Sequence, residues 1–218
     1  MFLARLAPLA LLVLAVAGCG GSSPESAPTV PEPAGGCASA EAPPAKPDGS
    51  LERPAEPLDP ATTYTLELRT NCGSFTITLD ASQAPNTTAS LVALAEAGFF
   101  DGTIFHRIVP GFVIQGGDPT QTGLGGPGYQ TVDAPPSDAR YVKGVVAMAK
   151  TADEPAGTSG SQFFVVTGED VGLPPDYAIV GTVTAGLDVV TAIGGLGDPA
   201  TERPLQPVVV EKVTVGES

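Results

Sequence analysis

Phe105-His106-Arg107-Ile108-Val109-Pro110-Gly111-Phe112-Val113-Ile114-Gln115-Gly116-Gly117-Asp118-Pro119 is the stretch on which the reading of this chain turns. It holds two short apolar runs, 104–109 and 113–115, interrupted by Pro110-Gly111 and closed by Gly116-Gly117, the pattern of strands bounded by turn residues. Upstream, period-two alternation begins at Tyr64, Leu66 and Leu68. Past Asn71-Cys72-Gly73 it resumes at Phe75, Ile77 and Leu79, which predicts two strands joined by a tight turn. Pro85-Asn86-Thr87 then opens a run with Leu91, Leu94 and Ala95 at helical spacing, and Gly98 follows it, so proline starts a helix and glycine ends it. Downstream, short apolar runs recur at 142–149, 162–166, 179–183 and 208–215, with a second helix over 187–193. Many short strands and two helices in about 155 residues predict a closed barrel or a sandwich.

The first third of the 218-residue chain reads differently. Residues 1–18 carry Arg5, then an apolar stretch from Leu6 to Ala17, the pattern of an export signal. That stretch is shorter than the roughly 20 residues that span a bilayer. Val16-Ala17-Gly18-Cys19 resembles a bacterial lipobox, in which Cys19 is lipidated and anchors the chain to the extracytoplasmic face of a membrane; ordinary cleavage beside an unrelated cysteine is the plainer alternative. Residues 19–61 are rich in Pro, Ala, Gly, Ser and Glu and cannot fill a core, so they read as a flexible tether spanning roughly 35–40 Å. Residues 62–218 form the folded domain. Cys37 and Cys72 remain as an even pair in an exported protein, read either as a disulfide strapping tether to domain or as two free thiols. The net charge of −14, with only ten Lys and Arg, excludes a nucleic-acid surface.

Three blocks in order carry a resemblance. They are Phe105 to Pro119, Gly144-Val145-Val146-Ala147-Met148-Ala149-Lys150, and Gly160-Ser161-Gln162-Phe163-Phe164-Val165, with Gly123-Leu124-Gly125-Gly126-Pro127-Gly128-Tyr129 between the first two. Over about Tyr64 to Val215 the chain resembles the cyclophilins, peptidyl-prolyl cis/trans isomerases. The resemblance implies a mainly β fold, a closed eight-stranded antiparallel barrel capped by two α-helices, and a monomer acting on proline-containing polypeptides without a cofactor. It assigns Arg107, Phe112, Gln115 and Phe164 to catalysis. Val113 and Leu173 join Phe112 and Phe164 in an apolar slot for proline, His106 and Tyr177 are placed beside the substrate, and main-chain groups around Ala149 and Lys150 pair with the peptide.

The residues themselves allow plainer readings. A lone arginine in a strand is usually a solvated charge, and phenylalanines at 112, 163 and 164 are usually core. Adjacent phenylalanines on one strand face opposite sides, so one of Phe163 and Phe164 can fill the barrel while the other lines the slot. His106, the only histidine, reads as a structural neighbour of Arg107, and one histidine without clustered thiols argues against a metal site. The serine-rich run Gly157 to Ser161 lacks nucleophile-elbow spacing, and Gly123 to Gly128 lacks a phosphate-loop ending. Gly172 stands where many eukaryotic cyclophilins carry tryptophan, Tyr177 where they carry histidine, and Lys150 where they carry asparagine. A non-catalytic peptide-binding module or holdase on the same fold is the rival reading, and a surface adhesin a third.

Overall fold

The computed structural model describes residues 36–218, which fall in one compact unit. The readings of residues 1–18 and of Cys19 lie outside the described residues. The chain opens its sheet with β1 (Tyr64–Thr70) and β2 (Gly73–Leu79), whose alternate residues are buried and whose register pairs Leu66 with Ile77 and Leu68 with Phe75. One face of this hairpin is apolar and faces the core, as alternation requires. Helix α1 (Pro85–Glu96) has proline in its first turn but no cap from Ala84. Asp133, far along the chain, does that work: it accepts from Thr87 N–H at 2.7 Å, Thr87 Oγ1 at 2.6 Å and Asn86 Nδ2 at 2.8 Å. A carboxylate here satisfies one orphan backbone N–H, that of Thr87, and suits the helix dipole.

There follow β3 (Thr103–Ile104), β4 (Arg107–Val109), β5 (Val113–Gly116), β6 (Thr131–Val132), β7 (Val145–Met148), β8 (Thr158–Ser159), β9 (Phe163–Val166), β10 (Ile179–Ala185), α2 (Leu187–Gly194) and β11 (Val209–Glu217). Nine strands make one curled antiparallel sheet in the order β3-β11-β1-β2-β10-β7-β9-β5-β4, and β6 pairs with β8 apart from it. The two end strands, β3 and β4, are separated only by Phe105 and His106. Taken as one strand broken at that point, they bring the count to eight, so the curled sheet is compatible with the expected barrel although its end strands are not paired with each other. β7 begins at Val145 rather than Val142, because Val142 instead makes an isolated bridge with Asp170.

Alternation divides the apolar residues between two places. Phe75, Phe105, Ile114, Met148, Phe163 and Val165 belong to the large buried cluster inside the sheet. Val113, Tyr141, Ala147, Phe164 and Val166 form a second cluster on the opposite face of β5, β7 and β9. All four residues of β7 and of β9 are buried, since those strands are covered on both faces.

The tether is not a free coil over its described part. Residues 36–61 lie along the domain as a strap, and Cys37 is bonded to Cys72 in the β1–β2 turn. Ala38 N–H donates to Asn71 O (2.8 Å), Lys46 N–H to Pro119 O (2.8 Å) and Gly49 N–H to Gly126 O (2.8 Å). Lys46 Nζ donates to the carbonyls of Phe99, at 3.0 Å, and Asp101. A segment with almost no large apolar residue can still be ordered when main-chain hydrogen bonds and a covalent bridge replace burial. The composition of residues 19–61 reports only that they cannot build a core of their own.

Candidate active site

Register brings the candidate residues together. Arg107 on β4 is paired with Gln115 on β5, Gln115 with Phe164 on β9, and Phe164 with Ala147 on β7. Paired residues share a face, so these four form one row across the sheet, and Val113 lies two residues from Gln115 on that same face. Phe112, Leu173, Ala149 and Tyr177 pack, partly buried, against the cluster containing Val113 and Phe164. The result is an apolar cluster whose rim is partly exposed, with Arg107 and Gln115 at its polar end. Tyr141 is its foundation: its hydroxyl donates to Tyr177 O (2.7 Å) and accepts from Tyr177 N–H (3.0 Å), while the rings of Tyr141 and Tyr177 flank Phe164 at 6.3 and 5.6 Å. Burial pushes the Tyr141 phenol above its ordinary value, so it stays a neutral donor.

The Arg107 side chain, 34% exposed, is held on two sides. Its Nε donates to Glu202 Oε2 at 2.7 Å and its Nη1 to Gln115 Oε1 at 3.4 Å. Among the described residues its Nη2 has no protein acceptor. Gln115 is fixed in turn, its Nε2 donating to Gln162 Oε1 (3.1 Å), whose own Nε2 donates to Gly125 O (2.9 Å). Each amide's orientation is therefore set by the next, and the chain ends on the glycine-rich loop 123–128. Asp118, fully buried, holds that loop by accepting from Thr120 N–H and Oγ1 (2.7 and 2.8 Å) and from Gly123 N–H. Burial alone would raise its carboxyl, but these donors outweigh burial and hold it below the ordinary carboxylate range.

Among the described residues no three His, Cys, Asp or Glu side chains converge as metal ligands would. What the arrangement offers is an apolar slot, a fixed guanidinium with a donor to spare, and an amide relay.

A family model described as "Cyclophilin type peptidyl-prolyl cis-trans isomerase/CLD" matches residues 65–215, which include every residue of this site. The chain belongs to the cyclophilin family. A peptidyl-prolyl cis-trans isomerase A of Mycobacterium tuberculosis is 38% identical over 174 residues, covering 72% of this chain and 94% of that protein. A peptidyl-prolyl cis-trans isomerase B of Streptomyces anulatus is 39% identical over 167 residues, covering 68% and 94%. Among solved structures, a cyclophilin type isomerase of Cryptosporidium parvum, crystallised in the presence of the dipeptide Ala-Pro, superposes with a TM-score of 0.65 at 29% identity, covering 71% of this chain and 99% of that one. As a cyclophilin, the domain is an enzyme of the peptidyl-prolyl isomerase class.

The structure also fixes the surroundings of the remaining candidate residues. Both ring nitrogens of His106 are buried without a partner, so they do not reach a substrate in this conformation. Burial lowers the imidazole's pKa, with Asp118 opposing and Arg107 adding to the effect, so the ring is neutral at physiological pH. Lys150 does not extend toward the slot: its side chain is 2% exposed, with Nζ 2.6 Å from Asp176 Oδ2 and 5.7 Å from the Tyr177 ring centroid. Ala149 N–H already donates to Gln162 O at 2.9 Å, leaving only its carbonyl for a peptide. Gly172 is exposed at φ +62°, with nothing within 4 Å of where a Cβ would stand. A tryptophan placed there would be strained at its backbone. Glu202 and Tyr141 were not legible beforehand. The first sits at φ +57° in a loop remote in sequence, and the second reads as an ordinary core tyrosine.

Proposed function

We propose that this domain accelerates rotation about X-Pro bonds in extracytoplasmic proteins, helping them fold, and that Arg107 is the group that does so. The planar X-Pro amide is held by resonance, with a barrier of about 18–20 kcal/mol. As the bond twists, the prolyl nitrogen's lone pair leaves conjugation and becomes a hydrogen-bond acceptor. A guanidinium donor at the end of the proline slot then binds the twisted state better than either planar isomer, which is what lowering a barrier requires. The slot of Phe112, Val113, Phe164 and Leu173 holds the ring, and the fixed Gln115 amide meets the peptide backbone beside it. No covalent step and no proton transfer is involved. The observation that carries this reading is the placement of Arg107: fixed through Nε and Nη1 at the rim of an apolar slot, with Nη2 uncommitted. A protease-coupled isomerisation assay on an Ala-Pro peptide tests it, with acceleration well above the thermal rate expected.

The extracytoplasmic setting rests on the apolar run Leu6 to Ala17 and on Cys19 within Val16-Ala17-Gly18-Cys19, and we place the lipid on Cys19. A Cys37–Cys72 bridge suits an oxidising compartment. Cys19→Ser should move the protein out of a carbonate-washed membrane fraction, and its retention there would refute the anchor.

A further inference from the structure

A groove of about 640 Å³ adjoins the proline slot and shares Gln115 with it. Most of its wall comes from the loop 123–130 and from Ala149 to Thr151, but Asp48 of the strap also lines it. That residue lies outside the stretch 65–215 that matches the family, so this part of the wall belongs to the chain's own extension. Its placement is fixed. Asp48 Oδ1 accepts from Gly126 N–H at 3.0 Å, and Gly49 N–H donates to Gly126 O at 2.8 Å. At Gly49 a Cβ would come within 2.9 Å of Pro127 Cα and 3.0 Å of the Phe99 ring, so only glycine lets the strap lie this close.

The groove's charge is one-sided. Its charged lining residues are Asp48, Glu154 and Lys150. The lysine is neutralised by Asp176 and withdrawn from solvent, its Nζ also donating to the carbonyls of Thr151 and Glu154 at 3.1 and 3.0 Å. Glu154 accepts from Thr151 N–H and Oγ1 and from Gln130 Nε2, and those donors, the Thr151 N–H foremost, hold its carboxyl below the ordinary range. Two carboxylates therefore face the groove against one cation already paired.

We propose that Asp48 is a specificity-determining residue, making this groove a subsite for a cationic side chain, so that prolyl peptides carrying Lys or Arg within a few residues of the proline are preferred. The inference rests on the isomerase reading of the neighbouring slot. Both carboxylates are solvent-accessible, so the preference is modest and falls as salt rises.

The experiment compares three Ala-Pro peptides bearing Lys, Ala or Glu in the flanking positions, in turnover and in binding of fluorescent versions. The wild-type protein should favour Lys over Glu by about fivefold in low salt. Asp48→Asn should erase most of that preference and Asp48→Lys should reverse it, each read as the ratio of Lys-peptide to Glu-peptide turnover within the same variant. Glu67→Gln, which alters net charge by the same amount on an exposed position of β1, should leave the preference intact. A preference that is absent in the wild-type protein, or identical in wild type and both Asp48 variants, overturns the proposal. If no peptide is turned over, the isomerase reading fails and the binding arm decides this one: an Asp48-dependent preference for Lys in binding sustains the subsite, and its absence removes it.

Discussion

Phe163 and Phe164 are chemically identical neighbours on one strand, yet they end in different environments. Phe163 joins the sealed interior with Phe100 and Phe105, whose ring centroids lie 6.0 and 6.1 Å away, edge to face. Phe164 faces the other way, into a cluster whose rim residues Phe112, Leu173 and Tyr177 are only partly buried. The pleat alone produces this division. One face of β5, β7 and β9 packs into the barrel interior, and the other carries a second buried cluster whose rim is only partly covered.

The sharpest way to break the comparison is to truncate both rings. Phe163→Ala should cost about 3–5 kcal/mol of stability, because the packed interior cannot collapse onto the space, and denaturant unfolding measures it. Phe164→Ala removes a ring that is just as buried, 4% exposed against 5%, and should also cost stability, but it alone should lower kcat/KM, by about tenfold, by loosening the slot. Unchanged turnover in Phe164→Ala, or an equal fall in Phe163→Ala, would show that the two faces do not differ as described.

The strap separates stability from activity in another way. Cys37 and Cys72 are 35 residues apart, and in the chain-entropy model a loop of that size restricts the unfolded state by about 3–4 kcal/mol. Cys37→Ser with Cys72→Ser should therefore lower Tm by several degrees while turnover of an uncharged Ala-Pro peptide stays within about twofold. A large fall in that turnover would mean that the strap supports the slot itself.

Much of this was legible in the sequence because it depends on local period. Alternation marked β1 and β2, Pro85 and Gly98 bounded α1, and the opposite facing of Phe163 and Phe164 follows from adjacency on a strand. The motif blocks named Arg107, Phe112, Val113, Gln115 and Phe164, the resemblance named Leu173, and register and packing bring these side chains together. What stayed hidden depends on long-range pairing. Asp133 caps a helix that begins at Pro85, Glu202 reaches Arg107 from a loop near the C-terminus, and the strap is ordered by main-chain hydrogen bonds that composition does not register. The burial of the His106 ring and the direction of the Lys150 side chain stayed hidden for a related reason. A motif names a residue but not its rotamer, and here one ring is buried and one ammonium turns back to Asp176.

Smaller effects sharpen the polar end of the slot. Glu202 touches Arg107 and not the substrate, so Glu202→Gln should lower kcat by about fivefold with KM nearly unchanged, as the guanidinium loses its charged anchor. A rise in KM alone would place Glu202 in substrate binding instead. His106 gives the smallest effect, and it depends on pH. Its folded-state pKa lies below the unfolded value of about 6.5, so below that pH the unfolded chain binds more protons and stability falls as the pH drops toward the folded value. Chemical denaturation at pH 7.5 and pH 5 should show a shallower loss for His106→Gln than for the unmodified protein. Parallel pH profiles would mean that the buried ring carries no such cost.

The central claim, that a single fixed guanidinium at the end of an apolar slot lowers the barrier to X-Pro rotation, is tested most directly by Arg107→Ala in the isomerisation assay, with the unmodified protein beside it and Tm recorded for both. Loss of a donor specific to the twisted state should reduce kcat/KM by about a hundredfold or more, with Tm little changed because the side chain is one-third exposed at the barrel rim. Near-normal turnover by the folded variant would contradict the account.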